Sequence, residues 1–439
     1  MGHINTGDTA FMLICAALVL FMTPGLALFY GGMVRSKNVL GTIMQSFIII
    51  GIINIIWMLF GYSLAFGPDA FGGLIGGLNW IGLHGVGMAP NPTYAPTIPH
   101  EAFMIFQAMF AIITPALITG AFAERMKFTS FLVFTVAWFV IVYIPVAHWV
   151  WGAGGWLRDF GALDFAGGIV VHASSGAAAL AAAIFTGKRK GFGSEPMIPH
   201  NIPLTIIGTG ILWFGWFGFN AGSALAANGV AVNAFVTTHI AATAATVSWV
   251  IAEWRKNGKP TTLGAATGAV AGLATITPAS GFVGPAAALV IGLVAGVVCY
   301  YAISLKFKLG YDDSLDVVGV HGVGGIVGTL AIGIFATTAI NSAGANGLLS
   351  GNASLLGIQA FAVLIVVGFS FVASMVILKV IDAIAGVRVA DEDELTGLDL
   401  SQHSEVGYDM SGLGGGGGEF VFGSEFAGHT APEASLGME

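Results

Sequence analysis

The chain has 439 residues, 56% of them hydrophobic and only 9% charged, with a mean hydropathy of +0.86. A soluble globular chain carries about 25% charged residues, so an ordinary water-soluble fold is excluded and an all-α integral membrane protein is expected. The formal charge of −8 gathers in an acidic tail around Asp391, Glu392, Asp393 and Glu394, and no basic cluster suggests nucleic acid.

A membrane helix needs about 20 mainly apolar residues. Met1–Ala10 lacks the positive flank of a secretory signal, so the first apolar run is expected to remain as a span. Met1-Gly2-His3-Ile4-Asn5-Thr6 fits the N-myristoylation pattern, which is read as coincidence because this end is expected outside. Eleven apolar runs follow, near 9–33, 42–66, 100–123, 129–151, 164–186, 202–225, 231–254, 262–280, 284–305, 315–336 and 354–381. The eighth is glycine-rich and is the weakest of them. Gly67-Pro68-Asp69 and Pro90-Asn91-Pro92 mark breaks between spans. Cys15 and Cys299 fall inside apolar runs and read as small buried hydrophobes; no metal or cofactor is expected.

Basic residues set the orientation. Arg35, Lys37, Arg125, Lys127, Lys188, Arg189, Lys190, Arg255, Lys256, Lys259, Lys306, Lys308, Lys379 and Arg388 all fall at or after the ends of odd-numbered spans, and only Arg158 follows an even one. By the positive-inside rule the N-terminus is outside and the C-terminus inside. Spans one to five and six to ten read as an inverted five-helix repeat, completed by a long final helix. Phe29-Tyr30-Gly31-Gly32 answers to Phe219-Asn220-Ala221-Gly222, and Val171-His172 with Gly176 answers to Val320-His321 with Gly325. The transmembrane domain is placed at 1–385 and a cytoplasmic regulatory tail at 386–413. A glycine-rich extension, 414–439, is expected to be disordered.

Polar groups inside spans are costly and are functional candidates. His172 and His321 lie in apolar stretches with no acid within reach, since the eight residues back to Asp164 span about 12 Å of helix. Each imidazole could be satisfied by a backbone carbonyl. Two at equivalent repeat positions instead suggest a shared pore, where imidazoles hydrogen-bond a small neutral species or pass a proton. Phe106, Phe110, Trp149, Trp151, Trp216 and Phe219 gather toward span ends. They read as packing and interfacial anchors, or as a cage that holds a cation by cation–π attraction of roughly 0.5–2 kcal/mol each, with Ser223 adding a hydroxyl. Asp164 reads as an N-cap or as negative potential beneath that mouth. His148 and His239 read as packing or interfacial residues near span ends.

These segments together resemble the ammonium transporter family (Amt/Mep, related to Rh proteins), bacterial Amt type. The resemblance rests on Pro24–Gly32, Gly120–Arg125, Ala147–Gly152, Gly161–Gly168, Gly215–Ser223 and Gly319–Gly322, in order from about residue 8 to 410. It implies an outer cation site at Trp151, Phe110 and Ser223, with Asp164 as the conserved acid. It further implies a phenylalanine gate at Phe110 and Phe219, and a pore lined by His172, His321 and Trp216. Ammonium or methylammonium as substrate, an inner cell membrane location, a homotrimer and a PII-type (GlnK-like) regulator are implied as well. The segment 397–403 is similar to the family's cytoplasmic tail; the extension after Gly414 has no counterpart in it. Two rival readings are a bis-histidine haem protein and an ammonium sensor with little transport. Fewer than 30 residues after Ser411 leave little room for a signalling domain.

Overall fold

The computed structural model describes residues 3–408. Seven apolar helical segments come first: α1 (Thr6–Met33), α2 (Ser36–Phe66), α3 (His100–Phe122), α4 (Phe128–Asp159), α5 (Gly168–Thr186), α6 (Ile202–Gly222) and α7 (Gly229–Asn257). A shorter helix of 15 residues, α8 (Thr262–Ile276), precedes α9 (Pro285–Leu309), α10 (Val318–Phe335) and α11 (Ser354–Ala385). All but α8 are long and apolar enough to cross a membrane. The eighth run was expected to reach residue 280. It stops at Ile276 because Pro278 brings no N–H to the helical ladder. A two-strand ladder of Pro90–Asn91 with Ala95–Pro99 lies ahead of α3.

Close backbone approach holds the bundle together, because apolar side chains gain nothing by leaving lipid for one another. On α6, a Cβ at Gly215 would collide with Met22 and with the Leu18 carbonyl of α1. The contact between α5 and α10 is reciprocal. Gly176, four residues after His172, faces the Gly322 backbone, and Gly325, four residues after His321, faces Ala173. At these glycines the two histidine helices come into direct backbone contact. Gly176→Val should abolish monodisperse protein in detergent size-exclusion chromatography, because its Cβ would overlap the Gly322 Cα. Gly357→Ala, which opens on empty space in α11, should elute as wild type.

At one end of the bundle the basic loops converge. Arg35 and Arg189 both pair with Glu124, at 2.9 and 2.7 Å, and Arg189 pairs with Asp312 at 2.9 Å. The fully buried Arg125 donates to the carbonyls of Ala121, Ala123, Gly187 and Asp312. The loops after α1, α3, α5 and α9 thus meet on one face, called the basic face below. Two short tail helices, α12 (Asp391–Thr396) and α13 (Leu398–His403), dock there. The Asp399 carboxylate accepts from Leu40 and Gly41 N–H, and Leu398 N–H donates to Asn38. The expected extension at 414–439 and Gly2 of the lipidation pattern lie outside the described residues.

Candidate functional site

A column of cavities runs through the bundle. On the face opposite the basic one, a cavity of about 240 Å³ is walled by Phe110, Trp151, Asp164 and Ser223, together with Gln107 and Tyr94. Its floor is aromatic. The Phe110 and Phe219 ring centroids are 4.2 Å apart, and Trp151 meets Phe110 edge-on at 5.8 Å. Below lies a void of about 10 Å³ walled by apolar side chains such as Ile113, Leu117 and Leu212, with His172, His321 and Trp216. Past His321 comes a chamber of about 30 Å³ beside Tyr30, Thr267 and Asp316, then a vestibule of about 520 Å³ on the basic face.

The histidines face each other. Their Nδ1 atoms are 3.1 Å apart and their rings lie nearly parallel, at 17°. One Nδ1 must donate and the other accept, so the pair holds opposite tautomers. The Nε2 of His172 is buried with no hydrogen-bond partner among the described residues, and it is a donor or an acceptor according to which way the pair is set. Trp216 stacks on His172 at 5.6 Å and is fixed through its Nε1 donating to Thr277. A direct Nδ1–Nδ1 hydrogen bond leaves no space for an iron between the rings, so the geometry opposes the haem reading.

Local backbone explains how the imidazoles arrive there. His172 and His321 both sit in π-helical first turns, at Gly168–Ala173 and Val318–Gly322, and such widened turns recur at functional sites. Each turn is entered through an aspartate eight residues before the histidine. The Asp164 carboxylate accepts from the N–H groups of Gly167, Gly168, Ile169 and Val170, at 2.7–3.0 Å. Asp313 accepts from Val318 at 2.7 Å. Asp164 is therefore engaged as a cap while also edging the upper cavity, and its backbone oxygen receives the Trp151 indole N–H. Ser223 donates its hydroxyl proton to the Phe219 carbonyl, which leaves its oxygen lone pairs free to accept.

The structure brings together Trp151, Phe110, Ser223 and Asp164, then Phe219, then His172, His321 and Trp216, in that order along the column. Trp149 does not join them. Its indole donates to Leu74 and packs on Phe369, away from the cavity. His239 is not near a helix end, as the sequence suggested. It lies in the middle of α7, exposed, beside Trp213 and Phe217. Two residues escaped notice. Asp313 lies eight residues before His321 as Asp164 does before His172, and that shared spacing could have revealed it. Gln107, the polar residue between Phe106 and Phe110, lines the upper cavity.

A bundle of long apolar helices with a narrow apolar passage between two larger cavities has the architecture of a membrane transport protein. The chain belongs to the ammonium transporter family, whose sequence pattern matches residues 10–408. It is 55% identical to an ammonium transporter of Bacillus subtilis over 407 residues, covering 92% of this chain and 99% of the relative. The crystal structure of Candida albicans Mep2 superposes with a TM-score of 0.85 at 35% identity, covering 92% of this chain and 90% of that one. A sensor Amt protein is also similar, with a TM-score of 0.84 at 32% identity over 90% of this chain and 98% of that one. The protein is thus a multi-pass membrane protein of the ammonium-transporting class.

Proposed function

We propose that the column conducts ammonia derived from ammonium captured at the upper cavity. The observation that carries this reading is the 10 Å³ void, walled by apolar groups and two imidazoles without a carboxylate. A bare cation moved into such surroundings costs tens of kcal/mol, so the ion gives up its proton instead. Above the void, Trp151 and Phe110 offer π faces and Ser223 an acceptor, which together replace part of the hydration of ammonium. The neutral molecule then passes the phenylalanine rings and follows the His172–His321 pair. Its proton returns through the upper mouth or travels separately through the imidazoles.

Topology belongs to the same proposal. Arg189 after α5 and Asp312 after α9 touch, so an even number of crossings separates them. With α6, α7 and α9 long enough to span, this supports α8 as the fourth crossing and eleven in all. The concentration of lysine and arginine supports a basic face inside and an N-terminus outside. Exposed His239 in mid-membrane is costly against lipid, which favours a homotrimer covering that face. The inner vestibule is where a PII-type regulator would act.

Ammonium pulses over protein reconstituted on a supported membrane, with methylammonium uptake in vesicles, test the reading. Saturable uptake supports it, and a transient current shows that the proton crosses too. Saturable binding without flux would favour the sensor reading, which the likeness to a sensor Amt protein raises. Trp151→Leu should weaken half-saturation roughly 2- to 30-fold, the worth of one cation–π contact of about 0.5–2 kcal/mol. Uptake curves at graded external ammonium measure this.

A further inference from the structure

Below His321 the path to the vestibule narrows once more. The 30 Å³ chamber and the vestibule share Met33, Leu263, Leu315 and Asp316 in their walls, so the neck between them runs past the Asp316 side chain. Asp316 holds a left-handed backbone, with φ at 64°, which residues bearing a Cβ rarely adopt. Its carboxylate accepts from Lys306 Nζ at 2.5 Å. The same Nζ donates to the Asp313 backbone oxygen at 2.8 Å and lies 5.3 Å from the Phe307 ring centroid. Lys306, in the last turn of α9, is only 7% exposed.

A lysine side chain ends in an alkylammonium, which is the substrate ion with one hydrogen replaced by carbon. Carboxylate, carbonyl and aromatic face therefore form a coordination set for an ammonium ion, filled by a tethered one. Resting on the conduction reading above, we propose that Asp316 and the Asp313 carbonyl form an exit site for product ammonium, with Lys306 as its resident competitor. Ammonia leaving the pore takes a proton from hydronium in the vestibule, releasing one water, and the new cation meets Asp316 first. A competitor on a short flexible tether acts at an effective concentration of millimolar order. Lys306 thus displaces the product until internal ammonium rises into that range, and the inner end of the pore stays clear at low internal ammonium.

The test uses full-length protein in right-side-out membrane vesicles preloaded with graded ammonium, reading initial methylammonium uptake. Without the tethered cation the exit site retains product, so Lys306→Met should reach half-inhibition at roughly tenfold lower internal ammonium than wild type. Lys306→Arg, which keeps a cation, should stay within about twofold of wild type, and adding Asp316→Asn to Lys306→Met should remove the new sensitivity. Uptake by Lys306→Met vesicles without internal ammonium reports that the variant is folded and conducting. If it gives no folded protein, Asp316→Asn alone carries the test and should need more internal ammonium than wild type. Coincident inhibition curves for wild type and Lys306→Met, or for wild type and Asp316→Asn in that second case, would overturn the exit site while leaving conduction intact. Absent uptake by unloaded wild-type vesicles would instead overturn the conduction reading, and this inference with it.

Discussion

Vesicles carrying the double substitution His172→Leu and His321→Leu should take up methylammonium roughly 5- to 150-fold more slowly than wild type and lose part of their ammonium-over-potassium selectivity. On the proposed conduction path each imidazole offers the passing molecule one hydrogen bond, in a void of about 10 Å³. A net hydrogen bond is worth about 0.5–1.5 kcal/mol, so losing two raises the barrier by about 1–3 kcal/mol. The two side chains also satisfy each other, with Nδ1 atoms 3.1 Å apart. A single replacement strands the remaining Nδ1 in an apolar wall, where an unpaired buried polar group costs about 1–3 kcal/mol. The double variant should therefore melt higher in detergent than either single variant, a non-additivity expected of residues in direct contact. Flux and selectivity equal to wild type in the double variant would remove the pair from the mechanism.

Much of this was legible because lipid imposes simple rules. Runs of apolar residues mark the helices of the bundle, and Arg35, Arg125, Arg189 and their neighbours mark one of its faces. The histidines stood out because a polar group amid Val170, Val171 and Ala173 has to have a reason to be there. What stayed hidden depended on three-dimensional approach. Nothing in the chain announces that Gly176 touches Gly322, or that π-helical turns carry both imidazoles. The length of α8 was misjudged because hydropathy runs on through Pro278, whereas the backbone ladder cannot. Trp149 and Trp151 are two residues apart on one helix, and only packing decides that one faces the cavity and the other faces Phe369. Lys306 looked like an orientation marker alone because its pairing with Asp316 spans ten positions across a turn.

Glu124→Gln should destabilise the protein by roughly 3–5 kcal/mol, the expected cost of removing one partner from a buried ion pair. Glu124 is 2% exposed, in a left-handed backbone at the end of α3. One carboxylate oxygen accepts from Arg35 N–H, Arg35 Nε and Asn38; the other accepts from Arg189. Glutamine would neutralise the charge that Arg35 and Arg189 share and turn an NH₂ group toward one of them. Burial by itself opposes ionisation of this carboxyl, but Arg189 and Arg35 outweigh it and hold the pKa down at about 2. Because the folded value lies below the ordinary one, the carboxylate's contribution is complete above the ordinary carboxylate range. It is lost as pH falls toward 2. Thermal unfolding in detergent should therefore show wild type losing stability across that acidic window, while Glu124→Gln starts lower and declines less steeply. Lys190→Ala is the comparison that makes the result specific. Its pair with Asp391 is 44% and 70% exposed, and exposed pairs contribute about 1 kcal/mol or less. The tail helices lean on the same cluster through Leu398 and Asn38, so loss of Glu124 should also free the tail. Faster proteolytic cleavage after Arg388 in Glu124→Gln than in Lys190→Ala would register that release, and equal rates would show that the tail holds without it.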